Sequence, residues 1–343
     1  MINKEISVAP MMDLTDRHCR YFLRLFSKNI KLYTEMITAN AIIYGDQDRF
    51  LNYNQQELPL VIQLGGSVPK DLAICAKLAE QRGFSEVNLN VGCPSDRVQK
   101  AKIGACLMAE PQLVADCIKA MQDVVNIPVT VKTRIGIDDQ DSYDFLYDFV
   151  NIVNKTGCNN FTIHARKAWL TGLNPKQNRL IPELNYDRVY KLKQDFKNLK
   201  ISINGGFETI EQIETSLNYT DGVMIGRAAY YNPYLLAQID QEIFGNYKII
   251  TRLEILEKLY PYVISELSQG TPWIKMARHY MGLFKDQPGA RLWRQFLSEC
   301  RGITVDNFAD NLNKILCLMG VLPNQDKVWD NDTVTDAKIV KVY

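Results

Sequence analysis

The sequence of 343 residues contains no apolar stretch of about 18 residues, the length that a membrane-spanning helix needs. Its first residues, Met-Ile-Asn-Lys-Glu, do not lead into the apolar core of a secretory signal. Internal repeats and low-complexity runs are also missing. We therefore expect a cytoplasmic, globular protein that does not span a membrane.

Cysteine and histidine patterns typical of metal sites are absent as well. The eight cysteines include no Cys-x-x-Cys pair, and three histidines are too few to complete a zinc site. We predict no metal centre and interpret the thiols as reduced and mostly buried. An excess of one charge is missing too, since 40 basic residues nearly balance 39 acidic ones and leave a net +1. A polyanionic partner would therefore have to bind a local basic cluster.

The first two-thirds of the chain contains apolar runs that recur at a regular spacing. Helical patterns with one apolar face separate the runs, such as the one over residues 72–79. Consecutive parallel strands need crossover helices, and eight such units close on themselves. We predict an α/β fold with a (β/α)8 TIM barrel over residues 1–243, and a doubly wound open sheet is the alternative. The predicted strands are 6–9, 32–37, 60–64, 86–90, 128–132, 160–164, 200–203 and 222–225.

After Tyr247 the pattern becomes helical only. Apolar residues over 253–267 mark one amphipathic helix, which Gly-Thr-Pro at 270–272 ends. Further helices are predicted over 276–284, 292–300 and 308–318. We predict a small all-helical domain at 244–322, followed by a polar tail at 323–343.

Several predicted strands end in a polar residue. In barrels of this kind the active site lies at the carboxyl ends of the strands, so we expect these side chains to face one site. Each taken alone usually has a structural role, but five such residues on one rim favour a shared site. The five residues are Gln63, Asn90, Lys132, His164 and Asn204.

Cys93 and two glycine-containing turns extend this pattern. Cys93 lies in a Gly-Cys-Pro turn directly after the fourth strand, where a thiol points into a site and not into a core. Gly205 and Gly206 follow the seventh strand, and Gly226 and Arg227 follow the eighth. Glycines at these positions let backbone N–H groups approach a phosphate. The turns therefore favour a cofactor that carries a phosphate group.

Seven motifs, in order along nearly the whole chain, resemble those of the tRNA-dihydrouridine synthases, flavin enzymes of the barrel class. They are SVAPMMDLTDRHCR at 7–20, VIQLG at 61–65, NLNVGCPS at 88–95, VKTR at 131–134, IHAR at 163–166, NGG at 204–206 and IGR at 225–227. The segments TDRHCR at 15–20 and RKAWLTGLNPKQNR at 166–179 are similar to the A-type subgroup, which modifies uridines 20 and 20a of the tRNA D-loop.

The resemblance implies a role for each matching residue, with FMN as cofactor and NADPH as reductant. Cys93 would be the proton donor and Asn90 would help to fix the target uracil. The residues that would hold FMN fall into three groups: Pro10, Met11 and Met12 in the loop after the first strand; Gln63, Lys132 and His164 at the isoalloxazine ring; and Asn204, Gly205, Gly206, Gly226 and Arg227 at the phosphate.

The implied reaction is consistent with these residues. Reducing the 5,6 double bond of uracil takes a hydride at C6 and a proton at C5, and only a cofactor can supply the hydride. Reduced FMN would give the hydride from N5. An unperturbed thiol, with a pKa of about 8.5, is mostly protonated at neutral pH, so Cys93 can act as general acid.

A base stacked in a tRNA loop has to be turned out before it can react, which requires a grip on the surrounding backbone. Residues 275–301 contain six basic residues against two acidic ones, a local excess of +4, and residues 164–180 contain no acidic residue. Basic clusters of this kind provide phosphate contacts, although they are often only solvated surface. By resemblance, our candidates for tRNA contacts are Lys176, Arg179, Arg291 and Arg294.

Two other functions are compatible with parts of the pattern. An FMN barrel that acts on a free pyrimidine or small enone, similar to a dihydroorotate dehydrogenase, would share the phosphate turns but not need a basic helical domain. An RNA-binding module on a degenerate barrel would not bind flavin. We expect the protein to be a monomer.

Overall fold

Eight strands alternate with helices over the first two-thirds of the chain. The computed structural model of the protein describes residues 4–299 and 302–322. Each strand lies within two residues of its predicted position at both ends, because the apolar runs are the buried segments. The strands are β1 Glu5–Val8, β2 Leu32–Thr38, β3 Leu60–Gly65, β4 Glu86–Val91, β5 Val129–Arg134, β6 Asn160–His164, β7 Lys200–Asn204 and β8 Gly222–Ile225.

All strand pairs in this sheet are parallel, and the order β1-β8-β7-β6-β5-β4-β3-β2 follows the chain without a switch point. A parallel bridge between Ser7 and Lys31, directly before β2, joins the two ends of the sheet. Two backbone hydrogen bonds of 2.9 Å support it, from Val8 to Lys31 and from Lys31 to Ile6. The predicted TIM barrel is confirmed, and the doubly wound open sheet is excluded.

Helices connect successive strands and cover the outside of the barrel, so β3 and β4 are buried at every position. In the described residues the helices of the barrel region are α1 Arg17–Arg24, α2 Ala39–Tyr44, α3 Gln47–Leu51, η1 Gln55–Glu57, α4 Pro69–Gln81, α5 Asp96–Lys100, η2 Gly104–Ala109, α6 Pro111–Gln122, α7 Tyr143–Asn154, η3 Gln177–Arg179, α8 Tyr186–Asp195, α9 Ile210–Leu217 and α10 Arg227–Tyr231. The remaining helices are α11 Tyr234–Glu242, α12 Arg252–Ser268, α13 Trp273–Ala277, α14 Ala290–Glu299 and α15 Val305–Leu318.

The chain divides into two compact units. Residues 4–24 and 28–228 form the first, and residues 25–27 with 229–299 and 302–322 form the second. The second unit is helical, as predicted, and its core is aromatic: the Trp273 and Phe308 rings lie 5.3 Å apart, and Trp293 Nε1 donates to the Tyr280 carbonyl at 2.8 Å. The predicted division of function at residues 243 and 244 stays a prediction.

One predicted helix, 276–284, is wrong. Helix α13 ends at Ala277, and turns follow up to residue 289. A Cβ at Gly282 would lie 2.6 Å from the Tyr231 carbonyl oxygen, and Asp286 has φ +59°. The close contact at Gly282 and the left-handed backbone of Asp286 both lie in the turns that replace the predicted helix, and neither feature is visible in an apolar periodicity.

Of the seven cysteines that are described, four are buried, namely Cys19, Cys75, Cys117 and Cys158. Cys300, Arg301 and the predicted tail at 323–343 lie outside the described residues. Across the described ranges, no helix has both the length and the apolar composition needed to cross a membrane.

Candidate active site

The loop after β4 holds the Cys93 thiol at the carboxyl end of the barrel. Oδ1 of Asn90 accepts the backbone N–H groups of Gly92 at 3.1 Å and Cys93 at 2.9 Å. On the other side, the Cys93 carbonyl accepts the N–H of Ala105 at 2.9 Å. The half-buried Sγ lies 3.7 Å from Ser95 Oγ. The turn is thus fixed on both sides while its thiol stays partly accessible.

Gln63 lies directly beside Asn90. Asn90 Nδ2 donates to Gln63 Oε1 at 2.8 Å, and Gln63 Nε2 donates to Asn88 Oδ1 at 2.9 Å. All three amides are buried. Since each amide nitrogen has two hydrogens and each amide oxygen two lone pairs, Gln63 retains one donor and one acceptor for a ligand. The structure therefore brings together three of the predicted site residues, Gln63, Asn90 and Cys93.

Lys132 and Asn204 form a second pair on the same rim. Lys132 Nζ donates to Asn204 Oδ1 at 3.0 Å, and Asn204 Nδ2 donates to the Met224 carbonyl at 2.7 Å. Burial, with a smaller contribution from the Arg134 charge, lowers the pKa of Lys132 from 10.5 to about 7, and Cys93 acts in the opposite direction. The amine can thus gain or lose a proton near neutral pH, and an anionic ligand would favour its charged form.

The low pKa of Lys132 predicts a pH dependence of stability. Between pH 7 and 10.5 an unfolded chain keeps the Lys132 proton that the folded barrel has released, so the free energy of unfolding rises with pH over this range. The expected slope from this residue is at most about 1.4 kcal/mol per pH unit. Urea unfolding of flavin-free protein at several pH values should show the rise, and Lys132→Met should remove most of it. An equal slope in the variant would contradict the assignment.

His164 carries a buried ring nitrogen without a hydrogen-bond partner among the described residues, Nδ1. Burial and the positive charges of Arg134 and Lys132 hold the pKa of His164 well below its usual value, so the imidazole is neutral at neutral pH. A buried polar atom without a partner is costly unless a ligand or water satisfies it. The Nδ1 atom of His164 can therefore form a hydrogen bond with a bound molecule.

Gly205 and Gly206 form a tight turn after β7, with φ +121° and +79°. A Cβ on Gly205 would lie 3.0 Å from Leu184 and 3.3 Å from the His164 ring, and a Cβ on Gly206 would lie 2.7 Å from Leu184. Both positions therefore require glycine. At Gly226, after β8, nothing lies within 4 Å of such a Cβ. The exposed Arg227 follows it at the start of α10.

The loop after β1 contributes Pro10, Met11 and Met12. Met11 N donates to Thr15 Oγ1 at 3.0 Å, and its carbonyl accepts the N–H of Thr15 at 3.0 Å, so this loop closes on itself. The Met11 side chain packs on a buried cluster that includes Tyr33 and Met224, whereas Met12 is 57% exposed. The predicted role of these residues at the flavin stays a prediction.

Arg134 was assigned no function from the sequence, although it lies two residues beyond Lys132 and so faces the same side of β5. Its buried guanidinium donates from Nε to the Gly92 carbonyl at 2.8 Å and from Nη1 to the Lys167 carbonyl at 2.9 Å. Burial is the main cause that lowers its pKa to about 10. Arg134 therefore links the Cys93 turn to the loop after β6. The VKTR motif includes Arg134, but it does not indicate which carbonyl groups the guanidinium contacts.

Two amide side chains strengthen this link. Gln99 Nε2 donates to the carbonyls of Pro94 at 2.8 Å and Leu170 at 2.7 Å. The buried Asn178 accepts the Trp169 N–H at 2.8 Å and donates to the Trp169 carbonyl at 2.9 Å. The loop over residues 165–180 is thus held by several side-chain hydrogen bonds, although it has little regular structure.

The four candidate tRNA contacts lie on exposed surface. Lys176 and Arg179 are in the loop after β6, at the 3-10 helix η3. Arg291 and Arg294 are one turn apart on α14, in the helical unit. Their role in binding RNA stays a prediction. The described residues contain no group of three or more histidine, cysteine, aspartate or glutamate side chains placed to hold a metal ion.

The barrel rim thus carries a glycine turn, a neutral histidine, a lysine and the fixed thiol of Cys93. The family model described as dihydrouridine synthase (Dus) matches residues 7–317. The chain belongs to the dihydrouridine synthase family. Among curated relatives, a Vibrio parahaemolyticus tRNA-dihydrouridine(20/20a) synthase is 62% identical over 296 residues, covering 86% of this chain and 90% of the relative. An Escherichia coli K12 protein of the same name is 61% identical over 295 residues, covering 85% of each chain.

A solved structure shares the fold of this dihydrouridine synthase at low identity. The 2-naphthoyl-CoA reductase complex with 2-naphthoyl-CoA superimposes with a TM-score of 0.52 at 8% identity, covering 69% of this chain and 50% of that one. At that identity the likeness shows the fold alone.

Proposed function

We propose that this dihydrouridine synthase reduces uridine to 5,6-dihydrouridine in the D-loop of tRNA, at positions 20 and 20a. The observation that carries the proposal is the match of the family model to residues 7–317, together with relatives named tRNA-dihydrouridine(20/20a) synthase that are 61 and 62% identical. The Cys93 turn, which Asn90 and Ala105 fix at the barrel rim, gives that reaction a proton donor.

The family is flavin-dependent, and we infer that the flavin is FMN and that NADPH reduces it. The site residues fit such a group. The Gly205-Gly206 turn has a backbone path that only glycine adopts without strain, the space beside Gly226 is open to 4 Å, and Arg227 supplies a positive charge for a phosphate. His164 Nδ1 is buried and has no hydrogen-bond partner among the described residues. An anionic flavin ring would favour the protonated, charged form of the Lys132 amine. Gln63 has one donor and one acceptor to spare.

Each protein residue then has a defined task. The bound flavin would supply the hydride to C6 of the uracil. Cys93 donates its thiol proton to C5, as a general acid. Asn90 orients Cys93 through the backbone N–H of the turn and, through its remaining Nδ2 hydrogen, helps to hold the uracil. Lys132 and Arg134 place positive charge near the thiol.

We assign binding of the tRNA backbone to the basic surface of Lys176 and Arg179 in the barrel unit and of Arg291 and Arg294 in the helical unit. The proposed division of labour is FMN and chemistry in residues 1–243 and tRNA binding in residues 244–322. We further propose that the protein works in the cytoplasm as a monomer.

The function is tested by mapping dihydrouridine in tRNA from cells that lack this protein. Mass spectrometry of individual tRNA species should show unmodified uridine at positions 20 and 20a and unchanged dihydrouridine elsewhere in the D-loop. Expression of the protein should restore both positions. Loss at other positions, or no loss, would contradict the proposed site of modification. Visible absorbance of flavin in the purified protein tests the cofactor separately.

Gly206→Ala is expected to weaken FMN binding roughly tenfold and to lower the free energy of unfolding by about 1–2 kcal/mol, because alanine is strained at positive φ and its Cβ meets Leu184. Gly157→Ala is the matched control, since Gly157 has φ +92° and nothing within 4 Å of a Cβ. It should lose the part of the stability that comes from backbone strain and bind FMN normally. Equal FMN affinity of the two variants, measured by fluorescence titration, would rule out the proposed phosphate turn.

A further inference from the structure

A continuous chain of side-chain hydrogen bonds descends from the Cys93 turn into the barrel interior. Asn90 accepts the Cys93 N–H at 2.9 Å and donates to Gln63 Oε1 at 2.8 Å. Gln63 Nε2 donates to Asn88 Oδ1 at 2.9 Å, and Asn88 Nδ2 donates to Thr130 Oγ1 at 2.8 Å. The reactive loop is thus connected, bond by bond, to side chains that lie far from the rim.

The chain ends in a group of charges at the amino ends of the strands. Thr130 Oγ1 donates to Glu86 Oε1 at 2.7 Å, and Lys31 Nζ lies 2.8 Å from Glu86 Oε2. Lys31 also pairs with Glu5 at 2.7 Å, and Lys200 pairs with Glu5 at 2.6 Å. Glu86 is thus a buried residue, only 3% exposed, whose carboxyl oxygens contact Thr130 and Lys31.

The two ends of the chain determine its direction. Thr130 donates its single hydroxyl hydrogen to Glu86, so its oxygen can only accept from Asn88. Backbone N–H groups can only donate, so Asn90 has to turn its oxygen to Gly92 and Cys93. Every amide between these ends is consistent with both constraints. If the Gln63 amide were turned over, its nitrogen would face the Asn90 nitrogen and its oxygen would face the Asn88 oxygen. Both hydrogen bonds would be lost in a buried site, which is costly.

We propose that Thr130 and Glu86 are positioning residues for the flavin site. By fixing Asn88, they hold the Gln63 amide in one orientation, so that one Nε2 hydrogen and one Oε1 lone pair remain available for the flavin ring. Neither residue contacts the flavin or the uracil. This role rests on the proposed function, because the fixed orientation of Gln63 matters only if the site binds a flavin.

The test is a double-mutant cycle on FMN affinity. Flavin-free protein is titrated with FMN, and the dissociation constant is read from flavin fluorescence. Thr130→Val, which keeps the shape and removes the hydroxyl, should raise this constant roughly tenfold, whereas Thr130→Ser should stay within about twofold of wild type. In a Gln63→Ala background, Thr130→Val should have no further effect, because its influence passes through that amide.

Thr133→Val separates positioning from general destabilisation. Thr133 lies on the same strand, is fully buried and donates to the Val91 carbonyl at 3.2 Å, outside the chain of hydrogen bonds. We expect it to lower the melting temperature about as much as Thr130→Val and to leave the FMN dissociation constant within about twofold. If Thr130→Val does not fold, Thr130→Ala takes its place in the cycle.

The outcomes distinguish the two proposals. Normal FMN binding by Thr130→Val, or effects of Thr130→Val and Gln63→Ala that simply add, would overturn the positioning role and leave the flavin site intact. Failure of the wild-type apoprotein to bind FMN would overturn the flavin site and the positioning role with it. A tenfold loss that disappears in the Gln63→Ala background supports the positioning role.

Discussion

Cys93→Ala is expected to slow conversion of uridine in tRNA by about 10²- to 10⁴-fold, the contribution typical of a general acid, while FMN stays bound. The proposed flavin contacts come from other strands, and the backbone bonds of the turn to Asn90 and Ala105 do not involve the thiol. The measurement is the rate at which unmodified tRNA oxidises the reduced flavin in a single turnover, with dihydrouridine quantified by mass spectrometry.

Cys106→Ala is the matched control for this result. Cys106 is also half-buried, and its Sγ donates to the Ile103 carbonyl at 3.3 Å, so it is the same chemical change at a neighbouring thiol. We expect its turnover rate to stay within about twofold of wild type, because no general acid is lost. A Cys93→Ala rate within tenfold of wild type would show that another group donates the proton.

Replacing Arg291 and Arg294 together with alanine is expected to weaken tRNA binding about 10- to 100-fold without loss of FMN, because the two proposed phosphate contacts are removed. The dependence of log Kd on log salt should fall by about 1.5 to 2 for the two charges. Both arginines are exposed on α14, so the substitutions should leave the helical core intact. Binding is measured by filter retention of unmodified tRNA at several salt concentrations.

Lys275 and Lys285 provide the comparison. Both are exposed in the same helical unit, and Lys285 lies 3.6 Å from Asp286. Their double alanine variant loses the same charge as the Arg291 and Arg294 variant. We expect tRNA binding to weaken by less than about threefold. Surface charges that do not contact a phosphate attract the RNA only at long range, where salt screens the attraction. Equal weakening by the two variants would mean that net charge, and not specific contacts of α14, determines tRNA affinity.

The barrel could be predicted from the sequence because its signal is local. Each strand is an apolar run of four to seven residues, and the crossover helices have one apolar face. Asn90 and His164 could be assigned to one rim for a related reason: in a parallel barrel all carboxyl ends lie on the same side. Residue order alone therefore places them on that rim.

Other features depend on contacts between distant parts of the chain. The link through Arg134 joins Gly92 to Lys167, and the second carbonyl lies 33 positions away in sequence. Similarly, nothing in the apolar pattern over 276–284 indicates that Gly282 packs close to Tyr231. Such contacts depend on the backbone path. The sequence therefore predicts neither the role of Arg134 nor the turns that replace the predicted helix over 276–284.

The ties made by Arg134 and Gln99 have a consequence for how a substrate enters. They join the loop after β4 to the loop after β6 through carbonyl groups on both sides, so neither loop can move away without breaking some of these four hydrogen bonds. We therefore expect the RNA, more than these two loops, to change shape on binding, because its reacting base has to leave the stack.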